Sequence, residues 1–199
     1  MLKPLFSSCA LVFALSVPLV QAADAPHVYT ETATAPSNAQ EQQIAGLFER
    51  WNAEHAFSPE ADQDTVIAAY RKSRDRLIDR YEFHSVDVVS LRPDHPNKEE
   101  LRAKFLREHT HDDFEVRFFV EGKGVFYLHV ENQVHVVLCE QGDLISVPAD
   151  TKHWFDMGEN PSFKCIRLFA TPEGWIANFT GSPIAETFPK FEQYLAEYA

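Results

Sequence analysis

Apolar residues recur at helical spacing in three parts of the chain. The pattern predicts helices over residues 41–51, 64–81 and 185–198, each with one apolar face. Asn97 is followed three residues later by Glu100, a capping-box pattern that predicts a further helix through Phe105. We expect these helices to flank a sheet.

From residue 85 onward the dominant pattern is short apolar runs separated by turn residues. Gly122-Lys123-Gly124 and Glu131-Asn132 are the clearest predicted turns. The predicted strands cover residues 85–91, 114–121, 125–130, 134–139, 144–147 and 163–169. This succession is typical of an antiparallel meander. We therefore expect a mainly β fold, a small jelly-roll-type β-barrel with flanking helices and a ligand site in its mouth.

A cluster of metal-binding residue types lies near the middle of the chain. Side chains alternate across a strand, so His109, His111, Glu115 and Arg117 would project from one face of an extended segment. His153 follows about forty residues later. Three imidazoles and a carboxylate leave two positions open on an octahedral ion. Such a set suits Fe(II), Ni(II) or Mn(II) better than the closed site of structural zinc.

The competing interpretation is that a His-x-His pair in a loop is merely solvated. The other histidines are not followed by glycine and proline residues at regular spacing. We interpret these six as structural or exposed: His27, His55, His84, His95, His129 and His135. The candidate ligands differ because their spacing to later glycine and proline residues is regular. That spacing resembles the two motifs of the cupin superfamily, His-x-His-x3-Glu-x6-Gly ending at Gly122 and Gly-x5-Pro-x4-His beginning at Gly142.

The second motif departs from that superfamily at one position. Many cupins have glycine two residues after the proline, where this chain has Asp150. The turn before the last ligand is therefore expected to differ in detail, while His153 itself is retained.

A narrower resemblance covers residues 48–185. Five runs are similar to the acireductone dioxygenase family: residues 90–94, 98–106, 115–122, 153–158 and 172–177. The resemblance implies the acireductone 1,2-dihydroxy-3-keto-5-methylthiopentene and O2 as substrates in methionine salvage. It also implies Fe(II) or Ni(II) as the metal. The implied products are formate and 4-methylthio-2-oxobutanoate with Fe(II), or formate, CO and 3-methylthiopropanoate with Ni(II).

Several further residues are candidates around the metal. Arg117 would offset the charge of a bound enediolate, or alternatively hold Glu115 in place. Phe155 would line the pocket, although an aromatic beside a ligand is often only core. By resemblance, Arg167 and Trp175 lie near the substrate.

The two aspartates beside the ligands also have two interpretations. Asp112 and Asp113 would orient the imidazole N–H groups, as carboxylates near metal sites often do, or else they are simply exposed.

Two other classes of protein stay open at this point. Another cupin oxygenase, or a Mn-dependent decarboxylase acting on a different small enediol or acid, would share the four ligands. A non-catalytic metal-binding cupin module would tolerate the loss of a ligand, whereas here all four ligands are present and Arg117 is aligned with them.

Composition and charge restrict the organisation of the chain and its partners. With 199 residues, 45% of them hydrophobic and 13% aromatic, the chain can bury one good core, which we assign to residues 40–199. A net charge of −12 without basic clusters argues against nucleic acid and against a stable membrane partner.

The amino terminus indicates export. Lys3 precedes an apolar stretch over residues 5–20 and a small-residue pattern, Val20-Gln21-Ala22, which predicts a secretory signal peptide over 1–22. Residues 23–39 would be a linker or an edge strand. The stretch is short for a permanent span of ~20 apolar residues. We expect a periplasmic or secreted protein, or a cytoplasmic one if the start codon is mis-assigned.

The two cysteines beyond the signal region lie within apolar runs. A buried, reduced thiol is the commoner state for Cys139 and Cys165, and a disulfide between them stays open.

Overall fold

The computed structural model describes residues 27–30, 48–131, 133–171 and 176–198. Its ten strands are β1 His27–Thr30, β2 Phe48–Arg50, β3 Ser85–Leu91, β4 His109–Thr110, β5 Glu115–Val130, β6 Gln133–Glu140, β7 Asp143–Val147, β8 Lys152–Asp156, β9 Phe163–Phe169 and β10 Asn178–Phe179. Its helices are α1 Gln63–Ala69, α2 Arg71–Tyr81, α3 Lys98–Phe105 and α4 Phe191–Tyr198, with a 3-10 turn at Ile184–Glu186.

One long strand, β5, joins two antiparallel layers. Its first half pairs with β7 and β9, and its second half pairs with β6 and β8. The first layer has the order β2-β7-β5-β9-β3, and the second has the order β1-β6-β5-β8-β4-β10. The expected antiparallel β domain with flanking helices is thus confirmed. Among the described strands, the hydrogen-bonded ladders do not close into a ring.

The predicted turn at Gly122-Lys123-Gly124 is wrong, because β5 continues through it. The pairing of β5 with β9 shifts register between Phe119 and Glu121, which marks a bulge. Gly122 has φ +71, and a Cβ there would overlap the backbone of Ser162. At this point β5 passes from one layer to the other. The glycines permit a bend and a close crossing instead of a hairpin.

The helices differ from the prediction at their ends. The predicted helix over 64–81 is divided into α1 and α2 at Tyr70, whose φ of −118 is not helical. Asp62 begins α1 by accepting a 2.8 Å hydrogen bond from the amide of Thr65. The helix α3 is confirmed, but the Asn97 side chain makes no capping hydrogen bond, so the predicted capping box is not formed.

Two other helix predictions are partly wrong. Residues 48–50 of the predicted helix over 41–51 form β2, which pairs with β7, and residues 41–47 lie outside the described part. The predicted helix over 185–198 is shorter, because Pro189 lacks an amide donor and α4 begins only at Phe191.

Buried side chains of the sheet form the centre of the fold. Phe118 and Phe119 point to opposite faces of β5, so one packs against α1 and α2 while the other packs between the layers. Burial of each such ring contributes roughly 1.5–3 kcal/mol. On the outer face of the second layer, Tyr127 and Trp154 stack at 5.0 Å beneath α4.

Both cysteines of the sheet are buried and free. Cys139 and Cys165 lie in the core between the layers, in agreement with the expectation of reduced thiols. Burial raises the pKa of Cys139 well above its ordinary value and raises that of Cys165 to about 12. Within the described ranges, no helix has both the length and the apolar character needed to cross a membrane.

Candidate metal centre

The four predicted ligands come from three strands and one loop. His109 lies on β4, His111 begins the following loop, Glu115 begins β5 and His153 lies on β8. The expectation of one extended segment is wrong, because residues 111–114 interrupt it. His109 and His153 are nevertheless opposite partners in the β4–β8 ladder, and this pairing brings the distant histidine to the site.

The donor atoms converge closely enough for one ion. All four side chains are buried, and one donor atom from each lies within 4.8 Å of the others. Glu115 Oε2 is 2.9 Å from Nε2 of His111 and 3.3 Å from Nε2 of His153. Ligands each about 2.1 Å from a common ion are separated by roughly 3 to 4 Å. The two distances from Glu115 lie in this range, and the 4.8 Å limit of the whole set exceeds it by less than about 1 Å, so the residues fit a single metal ion after a small contraction.

Backbone carbonyl groups orient all three imidazoles. Each ring places its Nδ1 atom within hydrogen-bond distance of a carbonyl oxygen, which leaves Nε2 for the metal. The pairs are His109 with Arg107 at 2.7 Å, His111 with Ile176 at 2.8 Å, and His153 with Thr151 at 2.8 Å.

The aspartates do not perform the orienting role suggested for them. Asp112 is exposed and accepts a 2.8 Å hydrogen bond from the Asn178 amide. Asp113 accepts hydrogen bonds from the backbone amides of Phe114 and Ala170. Both residues therefore stabilise the loop that carries His111. The true orienting groups belong to the backbone, so no residue type in the sequence indicates them.

The turn before the last ligand retains the geometry of a glycine. Asp150 has φ +62, in the left-handed region that aspartate tolerates better than most residues. Its amide donates a 2.9 Å hydrogen bond to the carbonyl oxygen of His111. The sequence departure at Asp150 therefore leaves the approach to His153 intact.

The charges in the site favour a deprotonated carboxylate. Burial alone would raise the pKa of Glu115, but the Arg117 guanidinium and hydrogen bonds from His111 and His153 hold it well below its ordinary value. Burial and the neighbouring His153 imidazole lower the pKa of His109 to about 4. Burial also opposes the charged form of His111, yet its hydrogen bond to Glu115 raises its pKa above the ordinary value.

Arg117 lies directly behind the ligands. Its Nε is 2.7 Å from Oε1 of Glu115, the oxygen that does not face the histidines. Three rings surround the guanidinium, with Cζ-to-centroid distances of 4.8 Å for Phe155, 5.5 Å for Phe126 and 5.7 Å for Phe105. The side chain is only 8% exposed.

A cavity of about 240 Å³ opens beside the four ligands. Arg117, Phe155 and Arg167 all line this cavity, and Arg167 also forms a two-point ion pair with Asp87. Trp175, the other residue assigned to the pocket, lies outside the described residues. Five further residues that the sequence did not indicate also line the cavity: Leu101, Lys104, Phe105, Ala177 and Phe179.

The remaining described histidines make no second metal cluster within the part of the chain that the structure covers. His55 and His84 are exposed, and His135 is buried within β6. His129 contacts the buried Glu108 carboxylate at 2.7 Å. These positions agree with a structural or exposed role, while the His27 side chain is not among those described.

Three imidazoles and one carboxylate beside a cavity define a mononuclear metalloprotein of the three-histidine, one-carboxylate class, here on an antiparallel β scaffold. The model of the ARD/ARD' family matches residues 22–177. The acireductone dioxygenase of Methylococcus capsulatus is 62% identical over 157 residues, which cover 79% of this chain and 84% of that protein. That of Aquifex aeolicus is 60% identical over 152 residues, 76% of this chain and 83% of the relative.

A solved structure agrees with these sequence comparisons. Acireductone dioxygenase from Bacillus anthracis, solved with a cadmium ion in its active centre, superposes with a TM-score of 0.69 at 30% identity. The match covers 79% of this chain and all of that one. The chain therefore belongs to the ARD/ARD' family.

Proposed function

We propose that this protein is a metal-dependent acireductone dioxygenase that acts in methionine salvage. The substrate would be 1,2-dihydroxy-3-keto-5-methylthiopentene, cleaved with O2. With Fe(II) the products would be formate and 4-methylthio-2-oxobutanoate, and with Ni(II) they would be formate, CO and 3-methylthiopropanoate. The observation that carries the proposal is the convergence of four donor atoms beside a cavity that also contains a buried arginine.

His109, His111, Glu115 and His153 would hold the ion. A bound Fe(II) or Ni(II) ion would act as a Lewis acid that binds the enediolate and promotes its reaction with O2. The fit of the donor set supports a divalent transition metal, since imidazole nitrogen is a ligand common to Fe and Ni proteins. The ligands do not distinguish between the two ions, and both remain in the proposal.

Arg117 would compensate the negative charge of the bound substrate. Its ion pair with Glu115 fixes the guanidinium at the edge of the cavity, and the surrounding rings keep water away from it. In such a water-poor environment a fixed positive charge interacts strongly with an enediolate. The two interpretations of Arg117 are therefore compatible, because one side of the guanidinium can hold Glu115 while the residue also faces substrate.

Phe155 would help to orient the substrate. Its ring lines the cavity and contacts Phe126 at 4.8 Å and Phe163 at 5.8 Å between ring centroids, so several neighbours restrict its position. A rigid aromatic wall limits the poses available to a small ligand. Arg167, anchored by Asp87, would be a weaker contact at the cavity edge.

The direct test compares protein loaded with Fe(II) and protein loaded with Ni(II), each supplied aerobically with the acireductone. Formate from both samples, and CO from the nickel sample alone, would support the proposal. Oxygen uptake without formate would contradict it and favour another cupin oxygenase. A Mn-dependent decarboxylase would instead release CO2 without consuming O2.

We also propose that the chain is exported. Support comes from Lys3, the apolar stretch over residues 5–20 and the pattern Val20-Gln21-Ala22, which all lie outside the described part. Cleavage after Ala22 leaves 199 − 22 = 177 residues. Intact-mass analysis of the protein from its own cells should find this shorter chain. A soluble cytosolic protein that still begins at Met1 would overturn the proposal.

A further inference from the structure

The buried carboxylate of Asp156, at the end of β8, accepts four hydrogen bonds. Asp156 is fully buried and lies three residues beyond His153. It accepts hydrogen bonds from Nε and Nη2 of Arg102 at 2.7 and 2.9 Å, and from the amides of Gly158 and Phe191 at 2.9 Å each. A buried charge is costly unless it is paired and hydrogen-bonded in this way.

The arginine of this pair belongs to α3, the helix that covers one side of the metal site. Besides Asp156, Arg102 contacts Glu192 of α4 at 3.0 Å. Lys98 of α3 also donates a hydrogen bond to Asn160, which lies between β8 and β9, but this contact is exposed. Among the described residues, α3 makes no other side-chain hydrogen bond to the β8–β9 region. The Arg102–Asp156 pair is therefore the principal polar anchor of this helix.

Phe105, at the end of α3, is the feature of the site that depends on this anchor. Of the three rings around Arg117, Phe126 and Phe155 are opposite partners in the β5–β8 ladder, so the sheet itself sets their positions. Phe105 comes from outside the sheet and reaches Arg117 and Phe155 only if α3 is correctly docked. Its ring centroid is 6.3 Å from that of Phe155.

We propose that Arg102 and Asp156 form a positioning pair, which holds α3 against β8 and thereby sets Phe105 against Arg117 and the substrate cavity. This inference rests on the proposed function, since the pair would shape the cavity for an acireductone. Asp156 lies on β8, the strand that carries His153, and it acts through α3 on Phe105, which lines the cavity. Asp156 itself does not touch the ligand atoms.

The test replaces Asp156 with Asn, which preserves shape but removes the charge, and Arg102 with Lys, which preserves charge but removes the two-point contact. Both variants should keep wild-type metal content and lose roughly tenfold or more in kcat/KM for the acireductone, because small misplacements of site walls are costly. Both should also show faster amide hydrogen exchange over residues 98–105. If Asp156→Asn fails to fold, Arg102→Lys still tests whether the pair positions α3.

The control removes the carboxylate from a more exposed arginine pair elsewhere in the fold. Glu121 pairs with Arg92 at 2.8 Å at a distance from the cavity lining. Glu121→Gln should leave kcat/KM and exchange over residues 98–105 unchanged. A loss in that variant equal to the loss in Asp156→Asn would show a general effect on folding and would overturn the inference.

A double-mutant cycle with Phe105→Leu separates positioning from simple stabilisation. If Asp156 acts through Phe105, adding Asp156→Asn to Phe105→Leu lowers kcat/KM little further, whereas independent effects would multiply. Multiplying effects would overturn the inference even if each single variant were impaired. If the wild-type enzyme converted no acireductone, the proposed function would fail instead. Hydrogen exchange over residues 98–105 would still decide whether the pair holds α3.

Discussion

Oε2 of Glu115 lies 2.9 Å from Nε2 of His111, four residues earlier in the chain, while its other oxygen faces the Arg117 guanidinium. The carboxylate thus has one oxygen directed at the candidate metal position and one directed at a buried cation. This division explains how a fully buried charge is tolerated, and it couples the ligand set to the residue that we assign to the substrate.

Replacing His111 with Ala should abolish metal binding and turnover while the protein still folds. Removing a residue that hydrogen-bonds to a metal ligand typically lowers metal affinity by about 10- to 100-fold, so removing the ligand itself should lower it further. The ring contributes little to the core, because it faces the cavity. Metal analysis after dialysis and circular dichroism test this expectation. Full activity in the variant would show that the ligand assignment is wrong.

Replacing Arg117 with Met should leave the metal bound but reduce turnover by about 10²-fold, the order seen when one fixed electrostatic partner of a reacting charge is removed. Met fills a similar volume between the three rings. Steady-state kinetics on metal-loaded protein measure the effect. Arg117→Lys, which keeps the charge, should recover part of the activity. If the Met variant instead loses its metal, the main role of Arg117 is to hold Glu115.

The affinity of the metal-free protein for metal should fall in acid. The pKa of His111 is raised above its ordinary 6.5 by Glu115 despite burial, so below that value its Nε2 carries a proton that the metal must displace. With at least one proton released on binding, affinity should decrease by at least about tenfold per pH unit from about pH 6.5 to 5. His109, with a pKa of about 4, adds to the loss only at lower pH. Titration calorimetry showing constant affinity over this range would contradict the expectation.

The buried thiols should be inert in the native protein. Burial raises the pKa of both Cys139 and Cys165, so little thiolate exists at pH 8 and reagents cannot reach it. A thiol-specific chromophore should react with neither residue until guanidinium unfolds the chain, and then with both. Rapid reaction of the folded protein would argue against the core placement, and no reaction after unfolding would indicate a disulfide.

The sequence predicted the site better than the path of the chain. His109, His111, Glu115 and His153 were found from their spacing, because metal coordination demands particular residue types at constrained positions. The break at residues 111–114 and the bend of β5 were missed, since glycine at positions 122 and 124 is equally compatible with a turn and with a close crossing. Only the long-range ladders decide between them.

The cavity walls were harder to predict than the ligands. Leu101 and Phe105 belong to an otherwise ordinary amphipathic helix, and no local pattern shows which of its residues will face the site. Likewise, the carbonyl groups that orient the imidazoles have no signature in the sequence. The metal ligands could therefore be predicted from residue types in the sequence, whereas the cavity walls and the orienting carbonyl groups could be identified only in the folded structure.

The most direct test of the metal site as the centre of catalysis is reconstitution of metal-stripped protein. On addition of one equivalent of Fe(II) or Ni(II), the wild-type protein should regain O2 uptake and formate production from the acireductone, while His153→Ala should regain neither. Activity in the stripped protein, or equal recovery in the His153→Ala variant, would contradict the account.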